Sequence, residues 1–225
     1  AINILGVAKT FRTSKNASLI SSGMDFCSVT GVLSPVSGRP LETVLGVKRK
    51  ASGGLDIKLG GRVLSGVTDL LGMIPVQVLN ADSFQLLSGD PGIRRRYLDW
   101  GVFHVEQGFF PAWRQFQRCL KQRNALLKSD TMPSSELDTW TEELAGLGET
   151  VSAYRHAYFL QLAQYFRDVL SRIAADITGL EADFFPGWDR GVNLIDALME
   201  RRNSDISRGF TQVGPQRADL KLTWE

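Results

Sequence analysis

Histidine and cysteine are almost missing from this chain, with two of each in 225 residues. Cys27 and Cys119 lie far apart, which excludes a disulfide-stapled scaffold and fits a reduced, cytoplasmic protein. His104 and His156, with no C-x-x-C, leave no zinc signature, so no metal site is expected. An excess of one charge is missing too. The 26 Lys and Arg against 24 Asp and Glu leave a net +2, so only the distribution of charge, not its sum, could argue for a polyanionic partner. The longest apolar stretch, 70–79, has half the length of a membrane span and contains Gly72, Pro75 and Gln77, and no signal-peptide pattern is visible. Catalytic signatures are absent as well: no G-x-x-x-x-G-K-[ST], G-x-G-x-x-G, H-E-x-x-H or G-x-S-x-G occurs. Carboxylates such as Glu142 and Glu143, or Asp99 and Glu106, sit among basic residues on helical stretches and read as solvated or paired. No catalytic residue is assigned, and residue chemistry alone does not make this chain a self-sufficient enzyme.

What is present is an ordinary globular composition, 43% hydrophobic and 22% charged, long enough for one large or two small domains. The chain starts inside apolar sequence and stops just after an alternating pattern, so both ends read as cut and a fragment is expected. Residues 1–60 read mainly as β. Residues 1–5 could be a helix tail, and 9–15 form a basic loop around Phe11. Residues 26–33 alternate as a strand, 41–48 make the next, 51–54 a hairpin turn, and 55–59 a third strand. A short helix over 63–71 and a strand over 74–79 buried on both faces follow. Gln77 there either bonds neighbouring backbone or reaches a site at the strand end.

The stretch 86–106, LLSGDPGIRRRYLDWGVFHVE, organises the rest. Asp90 is a candidate N-cap and Pro91 suits the first helical position. Arg94, Arg95 and Arg96 then point in three directions about 100° apart. They oppose the helix macrodipole, so a carboxylate or another anion is expected nearby. Either Arg94 and Arg96 pair with Asp90 and Asp99 as scaffold, or at least one of the arginines meets phosphate. Beyond them, Trp113, Phe116, Leu120 and Leu127 make an apolar helical stripe, while Arg114, Arg118, Lys121 and Lys128 make a basic one. That basic stripe is either a solvated face or a contact for an acidic surface or a DNA backbone. Helical period continues to about residue 178, predicting an arm of three or so long antiparallel helices. Aromatic residues 184–188 return to sheet, 193–202 read as helix, and 214–220 turn into a strand at 220–224.

PGIRRRYLDWGVFHVE and the segment 113–128 (W-x-x-F-x-R-x-L-K-Q-R-N-A-L-L-K) resemble RecF, the DNA repair and recombination family. KTFRT (9–13), IPVQVLNADSFQLLSG (74–89) and GPQRADL (214–220, against the family's GPHR-x-DL) agree in the right order over essentially the whole chain. The resemblance implies an α+β fold: an antiparallel-rich, ABC-ATPase-type head lobe of the SMC and RecF kind, interrupted by an inserted helical lobe. The head would comprise 1–108 and 182–225, and the arm 109–181. It implies ATP and Mg2+ in the intact parent, an ATP-dependent homodimer, DNA as ligand in gapped, single- or double-stranded form, and work with RecR and RecO to load RecA-type proteins at gaps. No membrane partner is implied. The Walker A loop would precede Ala1, and the signature, Walker B and D-loop motifs would follow Glu225. The piece alone is therefore expected to bind no nucleotide and to hydrolyse none.

By resemblance, Arg12 matches the arginine of the family's S-F-R motif, with Thr10 where serine is usual, and Gln77 or Asp82 falls near the Q-loop. These three are the nucleotide-proximal candidates. The DNA-binding candidates are Lys9, Arg12, Lys15, Arg94, Arg95, Arg96, Arg114, Arg118 and Lys121. Gln216 stands where the family has histidine, which removes any role needing an imidazole there. Arg217 could pair with Asp219 or meet a partner.

Overall fold

The computed structural model describes residues 1–11, 16–34, 42–129 and 133–224. The chain divides into two compact units, Ala1–Ser83 and Phe84–Glu225.

The first unit is built on an antiparallel meander. Strands β1 (Phe26–Leu33), β2 (Thr43–Lys50), β3 (Leu55–Leu59) and β4 (Arg62–Val63) follow one another in that order across the sheet. Val29 pairs with Val47, and Val47 with Ile57. Alternation sends Cys27, Val29, Gly31 and Leu33 toward the core and leaves Phe26, Ser28, Thr30 and Val32 outside. The inner face is covered by helices α1 (Ile2–Val7) and α2 (Val67–Leu71), with Leu45, Val47, Ile57 and Leu70 almost wholly buried. Ala8 ends α1 in the left-handed region at φ 53°, a conformation that disfavours a Cβ, and its carbonyl accepts from Arg49 Nε at 2.8 Å. Gly6 lies so close to the following segment that a Cβ would run into the Val76 side chain.

The strand expected over 74–79 does not form. These residues alternate between half-buried (Ile74, Val76, Val78) and exposed (Pro75, Gln77, Leu79), but no ladder joins them to another strand among the described residues. An extended chain becomes a strand only beside a hydrogen-bonding neighbour, and Pro75 has no N–H to give one. Burial on both faces is likewise not observed, since Leu79 is 83% exposed. The helix expected over 63–71 is shorter, because Arg62 and Val63 join the meander first.

The second unit is mainly helical. It runs α3 (Gln85–Ser88), α4 (Pro91–Val105), α5 (Phe109–Leu126), α6 (Ser134–Ile173), β5 (Leu180–Phe185), α7 (Leu194–Glu200), α8 (Arg202–Arg208) and β6 (Asp219–Trp224). Helix α5 lies antiparallel on α6: Gly108 meets Tyr154, Phe116 meets Gly148, and Cys119 meets Trp140. The expected three helices are thus two. Helix α6 runs unbroken for 40 residues because it holds no proline and its buried positions (Leu137, Thr141, Leu144, Gly148, Val151, Arg155, Phe159) keep one phase. Gly146 and Gly148 cost helix propensity without breaking it. Helix 193–202 becomes two short helices that meet at Arg201. Strands β5 and β6 pair antiparallel, with Phe184 opposite Leu220. One core gathers Leu98 and Val102 of α4, Phe109, Phe116 and Leu120 of α5, Leu144 and Val151 of α6, and Phe184, Trp188, Leu194 and Leu198. Side chains from both sides of the expected boundaries at 109 and 181 therefore share it.

Candidate nucleic-acid interface

The arginine run falls where its sequence places it, at the start of α4, with Asp90 extended at the N-cap and Pro91 in the first turn. The three side chains go to different places. Arg94 turns back on β6: its Nε and a terminal nitrogen donate to the two carboxylate oxygens of Asp219 at 2.7 and 3.0 Å, and the other terminal nitrogen donates to the Gly89 carbonyl at 2.7 Å. The hydrogen bond to Asp219 raises the Arg94 pKa against the opposing effect of burial. Arg95 donates to the Ala218 carbonyl at 2.6 Å, and burial first, then the charge of Arg155, lowers its pKa. Arg96 is exposed, with no hydrogen bond or ion pair among the described residues. The expected scaffold pairs are thus replaced: Arg94 takes Asp219 rather than Asp90, and Asp99 takes Arg155 at 2.7 and 2.9 Å rather than Arg96. Asp219 is in turn engaged by Arg94, not by Arg217.

The segment GPQRADL is where these clamps converge. Arg155 donates to the Pro215 carbonyl at 2.7 Å, Gln216 Nε2 to the Val213 carbonyl at 2.8 Å, and Arg94 and Arg95 hold 218–219. Gly214 N donates to the Gly187 carbonyl at 3.1 Å, and Gly187, at φ 106°, leaves no room for a Cβ against the Gly214 carbonyl. Behind the loop lies a fully buried guanidinium. Arg123 donates to Asp205 Oδ2 at 2.8 Å, Thr211 Oγ1 at 2.7 Å and Thr141 Oγ1 at 3.0 Å. Asn124 Oδ1 accepts from the Thr211 backbone at 2.8 Å, and Asp205 Oδ1 accepts from the Gln212 backbone at 3.1 Å. Side chains from α4, α5, α6 and α8 therefore immobilise residues 211–219.

The outer face of α5 is different. Arg114, Arg118 and Lys121 are exposed and make no ion pair among the described residues, with Arg114 beside the Phe110 ring at 5.8 Å. In the first unit Lys9 is exposed at the end of α1, Gln77 is exposed next to the Val76–Gly6 contact, and Asp82 is exposed and accepts from Asn80 Nδ2 at 3.1 Å. Arg12 and Lys15 lie outside the described residues. No cluster of metal-ligating side chains occurs among the described residues. No described helix is long and apolar enough to cross a membrane.

Sequence reasoning missed Arg123 and Arg155 as the struts of the site. The signal was there for Arg123: it lies in phase with Phe116, Leu120 and Leu127 on the buried stripe of α5, a place where an arginine needs a buried partner. Arg155 sits on the buried stripe of α6 in the same way.

One unit is an antiparallel meander covered by α1 and the other a helical pair packed with a two-stranded sheet, a fold also found in solved RecF structures. Two solved structures of the recombination mediator protein RecF in the RecFOR pathway, RecF-ATP and RecF-ATPrS, superpose with TM-scores of 0.82 and 0.81 over 99% of this chain and 62% of theirs, at 23% and 24% identity. No family model matches. Curated relatives described as "DNA replication and repair protein RecF" are 39% identical in Marinomonas sp. (strain MWYL1) and 40% identical in Chromohalobacter salexigens, each over 222 residues. These matches cover 99% and 98% of the chain, which spans 60% of the relatives' length. Over that shared stretch the chain is similar to these RecF proteins from end to end.

Proposed function

We propose that the chain serves in a DNA-binding, ATP-binding protein of recombinational DNA repair, helping with RecO and RecR to load RecA at gaps. In this reading ATP and Mg2+ act in the longer form of the protein, which pairs with a second copy around the nucleotide in the cytoplasm. Nucleic acid meets Lys9, Arg12 and Lys15 in one unit and Arg96, Arg114, Arg118 and Lys121 in the other, while Arg94 and Arg95 position the loop at 218–219. The observation that carries the reading is the division of labour among the cations. Arginines 94, 95, 123 and 155 are engaged within the fold, whereas the row on α5 stays exposed with no acidic partner among the described residues. Phosphate contacts would then dominate affinity and make it fall steeply with salt.

A second reading treats the helical pair as a protein-docking scaffold, with the basic row merely solvated. The far end of α6 favours it, because Tyr165, Val169 and Ile173 form an exposed apolar row, 69%, 49% and 78% accessible. Reversing Arg114, Arg118 and Lys121 to Glu separates the two. Weaker DNA binding, with a salt slope reduced by about 0.9 per lost phosphate contact, is the expected result. Intact DNA binding with lost binding to RecR or RecO would select the scaffold.

A further inference from the structure

Five arginines of the second unit have carboxylate partners. Arg94, Arg123, Arg155, Arg190 and Arg202 pair with Asp219, Asp205, Asp99, Asp183 and Asp138. Arg201, Arg208 and Arg217 do not, among the described residues, although Arg201 is the direct neighbour of the paired Arg202. All three line one groove of about 460 Å³, walled by Trp188 and Phe210 and formed where α7, α8 and the 210–217 loop meet. Asp189 and Glu200 also line it, so the groove keeps one net positive charge, and neither carboxylate forms an ion pair with the arginines. The Arg217 guanidinium lies over the Phe210 ring, 5.5 Å from its centre.

We propose that this groove, separate from the basic row on α5, holds the backbone and one unstacked base of single-stranded nucleic acid. The proposal rests on the DNA-binding reading above and deepens it. Arginine forks suit phosphate oxygens, and an aromatic face flanked by a guanidinium takes an unpaired base of any identity. A duplex hides its base faces in the stack, so Phe210 discriminates against it. The wall that carries Phe210 and Arg217 is held by the buried Arg123 and Arg155 networks, so little order has to be imposed on binding. Gly187, one of the lining residues, is tied to the loop through its carbonyl, which accepts from Gly214 N.

The test uses the 225-residue chain and fluorescence anisotropy with labelled oligothymidylate and a duplex of equal length. The Arg201→Gln/Arg208→Gln pair is expected to weaken oligothymidylate binding and to reduce the salt slope by roughly 0.7 per lost contact, about 1.4 in all. Phe210→Leu is expected to weaken it by about 5- to 150-fold, the range for one lost base–aromatic stack, with duplex binding little changed. Arg167→Gln/Arg172→Gln, at the exposed end of α6, makes the same charge change and should have little effect. Circular dichroism confirms that each variant is folded. Native affinity in the groove variants, with the native chain binding DNA, overturns the groove and leaves the DNA-binding reading standing. Equal weakening by the α6 pair also overturns it, by reducing the effect to net charge. Failure of the native chain to bind either nucleic acid overturns both.

Discussion

Replacing Arg123 with Met tests whether the loop that shapes the candidate interface is held by its buried charge network. The substitution keeps the aliphatic length of the side chain and removes the guanidinium. Asp205, fully buried, then loses the donor to its Oδ2 and keeps only the backbone N–H and side-chain amide of Gln212, which donate to Oδ1. Removing one partner of a buried pair costs about 3–5 kcal/mol, chiefly because the remaining charge is left unpaired. The native network already carries one penalty, since the second terminal nitrogen of Arg123 is buried without a partner, so the lower end, about 3 kcal/mol, is expected. For a chain of this size that corresponds to a fall in Tm of roughly 6–12 °C, measured by circular dichroism, and to a urea midpoint lower by about 1.5 M at a slope of about 2 kcal/mol/M. The double variant Arg123→Met/Asp205→Leu removes the orphaned carboxylate as well and should recover most of the loss. A single variant within about 1 kcal/mol of native, or a double variant no better than the single, would refute the account.

Two further outcomes follow from the buried titratable groups. The His104 ring packs against Trp100 and Phe103, its Nε2 is buried with no partner, and burial lowers its pKa below the ordinary 6.5. The unfolded chain therefore takes up this proton first, and stability due to His104 is present above its ordinary pKa and lost as pH falls through the folded value. His104→Phe should flatten that acid loss in urea titrations between about pH 7.5 and 5, and an unchanged profile would count against it. The Cys119 thiol is pushed up to about 12, first by burial and then by Glu143, so it should resist a thiol reagent until the chain unfolds, while half-buried Cys27 reacts in the native state. Two equally fast thiols in the folded protein would contradict this.

Local pattern alone determined a good part of this molecule. Alternation of Cys27, Val29 and Gly31 against Phe26, Ser28 and Thr30 set the faces of β1, and Asp90-Pro91 set the start of α4, because both depend on neighbours one to four residues away. The ordered motifs were enough to reveal the RecF resemblance. Tertiary structure decided which arginines are available. Arg94 and Arg95 sit beside Arg96 in sequence, yet they are consumed by partners 125 and 123 residues away, and Asp99 is claimed by Arg155 from 56 residues away. The strand expected at 74–79 failed for the same reason, since strand pairing needs a neighbour that period cannot supply. A sequence records which side chains can carry charge. Which of them stay free to meet a ligand is settled only when the chain closes and buried cations take their nearest carboxylates.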